Sequence, residues 1–151
     1  CCLLTYGCLL RPHREIRQLT WGDFSDDLTF ISLSGDRNKS GRNRIVPVTS
    51  TVRAHLSPKE RHLNIFSGSP TPFNHDYFKT LWGRYKAQSG LIQRDQTLYS
   101  FRHTGAIDVF KRTGSLTVLQ QAMGHASLAV SLGYLRNLEV PVLTADSMPS
   151  F

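Results

Sequence analysis

Cysteine is scarce, and what there is cannot build a framework. The 151 residues hold three cysteines, Cys1, Cys2 and Cys8, crowded at one end with no Cys-x-x-Cys spacing. That pattern argues against a disulfide scaffold or a zinc site, and the thiols read as core residues of a reducing compartment. Long apolar runs are lacking as well. The first ten residues are apolar but fall far short of the ~20 that a membrane span needs, and they carry neither the basic leader nor the small-residue cleavage site of a signal peptide. There is no internal repeat and no low-complexity segment. Negative charge is in short supply: 11 Asp and Glu stand against 18 Lys and Arg, for a net charge of +7. The sign favours a polyanionic partner, though on its own it is a weak pointer. The excess is scattered along the chain, as on a folded surface rather than a tail.

What is present fits one globular domain. Hydrophobic residues make up 40% and charged residues 19% of the chain, which suits a single core at this length. The chain has no initiator methionine and starts on what already reads as the apolar face of a helix, so we expect a fragment of a longer protein.

Residues 1–10 read as a buried helix. Pro12 suits a first helical position, and a short helix to about Leu19 would turn Ile16 and Leu19 inward. Trp21-Gly-Asp-Phe24 is a turn. Leu28 to Leu33 alternates with the strand period, with Leu28, Phe30 and Ser32 on one face. Arg44 to Val48 is a second strand, put at an edge or strand end by Pro47, and the polar stretch between them makes an antiparallel hairpin. Ser50 caps a short helix through Leu56. Residues 57–73 are mostly loop, with a strand-like Asn64-Ile-Phe66. Asn74 caps the clearest helix, whose stripe is Tyr77, Phe78, Leu81, Trp82 and Tyr85 and whose end is Gly90. A helix from near Tyr99 to Gly114 follows. Ser115 then caps another, with Leu116, Leu119 and Met123 inward, and a last short helix carries Tyr134. The expected fold class is α+β and mainly α-helical, with a small antiparallel β-sheet, not a parallel α/β protein. Residues 1–139 form the domain, and 140–151, with two prolines, form an irregular or partner-docking tail.

Several residues can carry chemistry, and each has a plain structural alternative. Tyr99 and Arg102 stand at i, i+3 and share a helix face; alone they are a helix start with a solvated arginine. His125 and Tyr134 are nine residues apart. One unbroken helix would set them on opposite faces, so a break between Gly124 and Ser131 is needed if both are to meet one ligand. Alone they are a helix-end histidine and a core aromatic. Arg11 precedes a helix N-terminus, where unpaired N–H groups favour phosphate, and Glu15 is placed to hold its guanidinium; alone they are a surface ion pair. Lys39-Ser-Gly-Arg42-Asn-Arg44 lies on the hairpin and is otherwise a basic solvated turn.

Taken together, these pieces resemble the catalytic domain of the tyrosine recombinases, the phage-integrase family of DNA strand-exchange enzymes. They run from Leu10-Arg11-Pro-His-Arg-Glu15 through Lys39-Ser-Gly-Arg-Asn-Arg44-Ile-Val-Pro47-Val. Tyr99-Ser-Phe-Arg102-His103-Thr, Met123-Gly-His125-Ala-Ser and Tyr134 then follow in the family's order and spacing, from about residue 3 to residue 136. The wording around Arg102 is most like integrases of bacterial conjugative or mobilisable transposons.

The resemblance implies that Tyr134 attacks the scissile phosphate and forms a 3′-phosphotyrosine, freeing a 5′-hydroxyl. Arg11 and Arg102 would clamp the non-bridging oxygens, with Glu15 orienting Arg11. Lys39 would be the general acid, and His125 would bond the phosphate and assist proton handling. Arg42, Arg44 and His103 would support DNA binding. No metal and no cofactor is implied. The implied partner is duplex DNA, with a homo-tetramer on DNA for the full-length protein and a monomer without it, in the bacterial cytoplasm at the nucleoid.

Two departures stand out. The family usually has histidine where this chain has Tyr99, and a neutral phenol can bond a phosphate but is a poor base. The first arginine usually stands three residues before the glutamate, whereas Arg11 stands four before Glu15, which brings Arg14 into question. Three rivals remain: a topoisomerase-like nicking and rejoining enzyme, a non-catalytic DNA-binding module descended from a recombinase, and a structural helical domain whose motifs arise by chance.

Overall fold

The computed structural model describes residues 1–37, 41 and 43–135, and for Tyr134 the backbone alone. The first helix, α1 (Cys2–Gly7), is shorter than expected because the chain turns at Leu9, a non-glycine residue with φ of 51°. That conformation is costly for a leucine. It sends Leu9 and Leu10 into different clusters. Leu10 joins the main core with Leu4, Ile16, Leu19, Ile31, Leu33, Val46 and Phe78, while Leu9 packs with Ala106, Leu119 and Met123. Beyond Pro12, tight turns and a 3-10 turn (Ile16–Gln18) bury Ile16 and Leu19 completely, as their spacing predicts.

Strands β1 (Phe30–Leu33) and β2 (Arg44–Pro47) form the expected two-stranded antiparallel sheet, with Ile31 opposite Val46 and Leu33 opposite Arg44. The buried face of β1 is the reverse of the expected one. Ile31 and Leu33 are inside and Phe30 is 48% exposed. Both faces satisfy a period of two. The set that wins places two aliphatic side chains against Val46 and Val48, where the rival set offers one aromatic and a serine.

Helix α2 (Ser50–Arg53) is capped by the Thr49 hydroxyl, one residue before the expected Ser50, and stops short of Leu56. Asn64 does pair with Thr20 in an isolated antiparallel bridge. Helix α3 (Tyr77–Gln88) starts from Asp76 rather than Asn74, whose side chain accepts from the Asp76 N–H instead, and it ends at Ser89 rather than Gly90. Its stripe is only half covered: Phe78 is buried, but Leu81 and Tyr85 are exposed.

Helix α4 (Leu98–Thr113) opens at a Thr97–Ser100 capping box and closes on Gly114 in the left-handed conformation. Helix α5 (Leu116–Met123) is capped by Ser115 and ends on Gly124 at φ of 63°. Helix α6 (Leu128–Tyr134) follows after a short turn. α1 packs on α4, which packs on α5 and α6. No helix among the described residues is long and apolar enough to cross a membrane.

Candidate active site

The site is built around one buried carboxylate. Glu15 is fully enclosed and meets three arginines from three segments. Arg11, just past the Leu9 turn, places Nη1 2.5 Å from Glu15 Oε1, and its backbone N–H donates to Oε2 at 2.7 Å. Arg44 of β2 donates from Nη2 to Oε2 at 3.2 Å. Arg102 of α4 has Nη1 3.9 Å from the same oxygen. A carboxylate buried among guanidinium groups pairs with them and fixes their positions.

Arg102 is sealed from solvent. Its Nη1 donates to the Leu9 carbonyl and its Nη2 to the Met123 carbonyl at 2.6 Å. The strained turn at Leu9 thus points one carbonyl toward Arg102 just before the chain delivers Arg11. Of the two candidate first arginines, only Arg11 joins the cluster. Arg14 is exposed and donates to the Asp36 carbonyl.

His125 lies beside these cations. The chain break that the His–Tyr spacing requires is there, from left-handed Gly124 to Ser127 at the start of α6. Ser131 lies not in the break but inside α6. It is completely buried, and its Oγ shares a 3.0 Å hydrogen bond with His125 Nδ1. The sequence carries no local signal for this contact, which needs the turn after Gly124 to fold α6 back onto His125. Burial first, and then Arg102, Arg11 and Arg44, push the His125 imidazole down to about 4. At neutral pH it is uncharged, able to share a proton but adding none to the field.

The other expected residues fall into two groups. Tyr99 sits one turn before Arg102 on α4, 40% exposed, with its ring 5.9 Å from that of His13. His13 is itself pushed below its ordinary range by burial and by neighbouring His75. Tyr99 and half-buried His103 are not among the groups gathered on Glu15. Lys39, Arg42 and the Tyr134 side chain lie outside the described residues, as does the 140–151 tail. The Tyr134 backbone ends α6, the helix whose Ser131 holds His125.

The arginines and His125 therefore lie together, and the helix that ends at Tyr134 is joined to His125 through Ser131. The profile of the phage integrase family matches residues 1–139. This chain belongs to the phage integrase family.

Among relatives of this integrase-family chain, tyrosine recombinase XerC of Rhizobium meliloti is 31% identical over 144 residues, 87% of this chain and 42% of that protein. Tyrosine recombinase XerA of Pyrococcus horikoshii is 27% identical over 143 residues, 89% of this chain and 48% of that protein. The chain thus spans less than half the length of these two curated relatives. Solved structures with the same fold include a XerA recombinase, at a TM-score of 0.67 and 18% identity over 95% of this chain and 52% of that one. The Tn1549 transposon integrase, solved in complex with circular intermediate DNA, has a TM-score of 0.61 at 18% identity over 97% of this chain and 54% of that one. The catalytic domain of bacteriophage HP1 integrase has a TM-score of 0.60 at 22% identity over 88% and 70%. The mainly helical fold with one small antiparallel sheet is that of tyrosine recombinase catalytic domains.

Proposed function

We propose that residues 1–139 form the catalytic domain of a site-specific DNA recombinase that cuts and rejoins duplex DNA through a 3′-phosphotyrosine on Tyr134. The observation that carries this reading is the gathering of Arg11, Arg44 and Arg102 on one buried carboxylate with His125 beside them. Three guanidinium groups around a single carboxylate leave an excess of positive charge, which suits a phosphodiester. A free tyrosine has a pKa near ~10, so ionising it at pH 7 costs about 4 kcal/mol; a cationic field at the phosphate offsets that cost as charge builds in the transition state.

In this reading the Tyr134 hydroxyl gives up its proton to solvent, its oxygen forms a bond to phosphorus as the bond to the 5′-oxygen breaks, and the leaving oxygen takes a proton from Lys39. Lysine suits that role when nearby cations draw its pKa down. Arg11, part-exposed at the mouth of the cluster, contacts a non-bridging oxygen. Arg102 is enclosed in the DNA-free chain, so its contact with phosphate requires the packing at Leu9 and Met123 to open on DNA binding. Neutral His125 donates a hydrogen bond to the phosphate. The phosphotyrosine conserves the energy of the broken bond, so the chemistry calls for no nucleotide cofactor. The full-length protein acts in the cytoplasm as a homo-tetramer on two DNA duplexes and is a monomer without DNA.

Strand exchange tests the proposal. Full-length protein is incubated with two labelled duplexes carrying its own element ends. Recombinant strands are the expected product. Relaxation of supercoiled DNA without exchange would mark a topoisomerase-like enzyme. A gel shift with neither product would mark a binding module, the reading that Tyr99 and the enclosure of Arg102 favour.

A further inference from the structure

Arg44 stands on a strand next to a basic hairpin segment, yet its side chain runs inward and is 8% exposed. Its Nη2 meets Glu15 and its Nη1 donates to the Ala122 carbonyl at 3.4 Å. Nε is enclosed and has no hydrogen-bond partner among the described residues. The guanidinium lies on Gly124. A Cβ built there would stand 2.5 Å from Arg44 Nη1 and 3.0 Å from its Cδ. Gly124 therefore meets two demands at once, the left-handed turn that ends α5 and the space that Arg44 fills.

We infer that Arg44 is a positioning residue, not a DNA contact: it docks the β-hairpin onto the α5–α6 turn and supplies part of the positive field around His125. The inference deepens the recombinase reading and rests on it for its purpose. The donors of Arg44 are turned into the fold, toward Glu15, the Ala122 carbonyl and Gly124. Among the described residues, the groups around His125 include Arg102 from α4, Arg11 from the turn after α1, Arg44 from β2, Ser131 from α6 and Gln120 of α5, which donates to the His125 carbonyl. Arg44 is the one whose strand also borders the segment carrying Lys39. Its docking thus joins the upstream half of the site to the downstream half. The other side of the hairpin is anchored separately, by the paired contact of Arg37 with Asp23.

Two measurements on the full chain, neither needing catalysis, decide the matter. The His125 ring is titrated by NMR in wild type, Arg44→Met and Arg44→Lys. Binding to a random-sequence duplex is measured across salt concentrations for the same proteins. Arg44→Met is expected to move the His125 titration upward, because a cation is lost. Arg44→Lys, which keeps the charge, should leave it near wild type. The slope of log affinity against log salt should be unchanged in both. A slope shallower by about 0.9 in Arg44→Met, the signature of one lost phosphate contact, would overturn the inference, as would an unmoved His125. Should Arg44→Met not fold, Gly124→Ala displaces the same guanidinium and must move His125 in the same direction; an unchanged titration there overturns it too. If the chain exchanges no strands, the recombinase reading fails while the titration still reports on Arg44.

Discussion

At the scale of single residues, Glu15 decides whether the site exists. Its carboxylate is the counter-ion shared by Arg11, Arg44 and Arg102, two of which are themselves enclosed. Removing one partner of a buried ionic cluster leaves uncompensated charge and costs about 3–5 kcal/mol. Glu15→Gln should therefore lower unfolding stability by that order in urea titrations; a loss below about 1 kcal/mol would mean that the arginines are held by their carbonyl partners alone.

His125 gives a prediction in pH. Its folded-state value lies at about 4, below the ordinary value of 6.5. As pH falls through 6.5 the unfolded chain takes up a proton that the folded chain refuses until about 4, so this residue's contribution to stability is lost across that window. The ring is only half-buried, and solvent screening keeps the effect modest. In His125→Gln the urea midpoint should fall less steeply between pH 6.5 and 4; an unchanged slope would contradict the assignment. Cys8 is the matching case among thiols. Burial pushes it up to about 11, so it should be the last of the three cysteines to react with a thiol reagent in the native chain.

At the scale of elements, the crossing of α1 and α4 carries Leu9 to Arg102. The crossing is close because α4 presents Gly105 there. A Cβ at that position would meet the Tyr6 carbonyl and stand 2.7 Å from Leu9 Cδ2. Gly105→Ala should cost about 1–3 kcal/mol by overpacking. It should also weaken the site more than its distance from Glu15 suggests, since it pushes on the Leu9 turn. Denaturation together with the strand-exchange yield checks both parts.

The sequence made most of these elements legible, because helix caps and helical spacing are local. Ser115, Gly114 and the inward Leu119 and Met123 are where their pattern puts them. What it hid depends on distant contacts. A period of two cannot say whether Phe30 or Ile31 faces the core until Val46 and Val48 are in place. Arg44 reads as solvated until the α5–α6 turn is brought beneath it. Ser131 reads as part of a helix break, because nothing local shows that His125 folds back onto it. The Arg11–Glu15 contact is suggested by its i, i+4 spacing, but that spacing reads equally as a surface pair, and only the packing of Arg44 and Arg102 shows that it is buried.

At the scale of the whole molecule, the excess of 18 basic over 11 acidic residues and the inward-facing cluster at Glu15 serve different ends. Scattered surface charge suits attraction of a polyanion, whereas in the proposed reaction Arg11 and Arg102 act on one phosphate. The chain alone should therefore bind duplex DNA weakly and without sequence preference, with affinity falling steeply as salt rises, by about 0.9 log units per phosphate contact for each tenfold increase. A tight complex that is indifferent to salt would contradict this.

The most direct measurement is covalent trapping. Full-length protein is mixed with a nicked suicide duplex carrying its own element end, the product is digested with protease, and the DNA-linked peptide is identified by mass. The account predicts a 3′-phosphate linkage to the peptide that contains Tyr134, and no SDS-resistant product from Tyr134→Phe. Absence of any linked product from the wild type on its own site, or a linkage that survives in Tyr134→Phe, would contradict it.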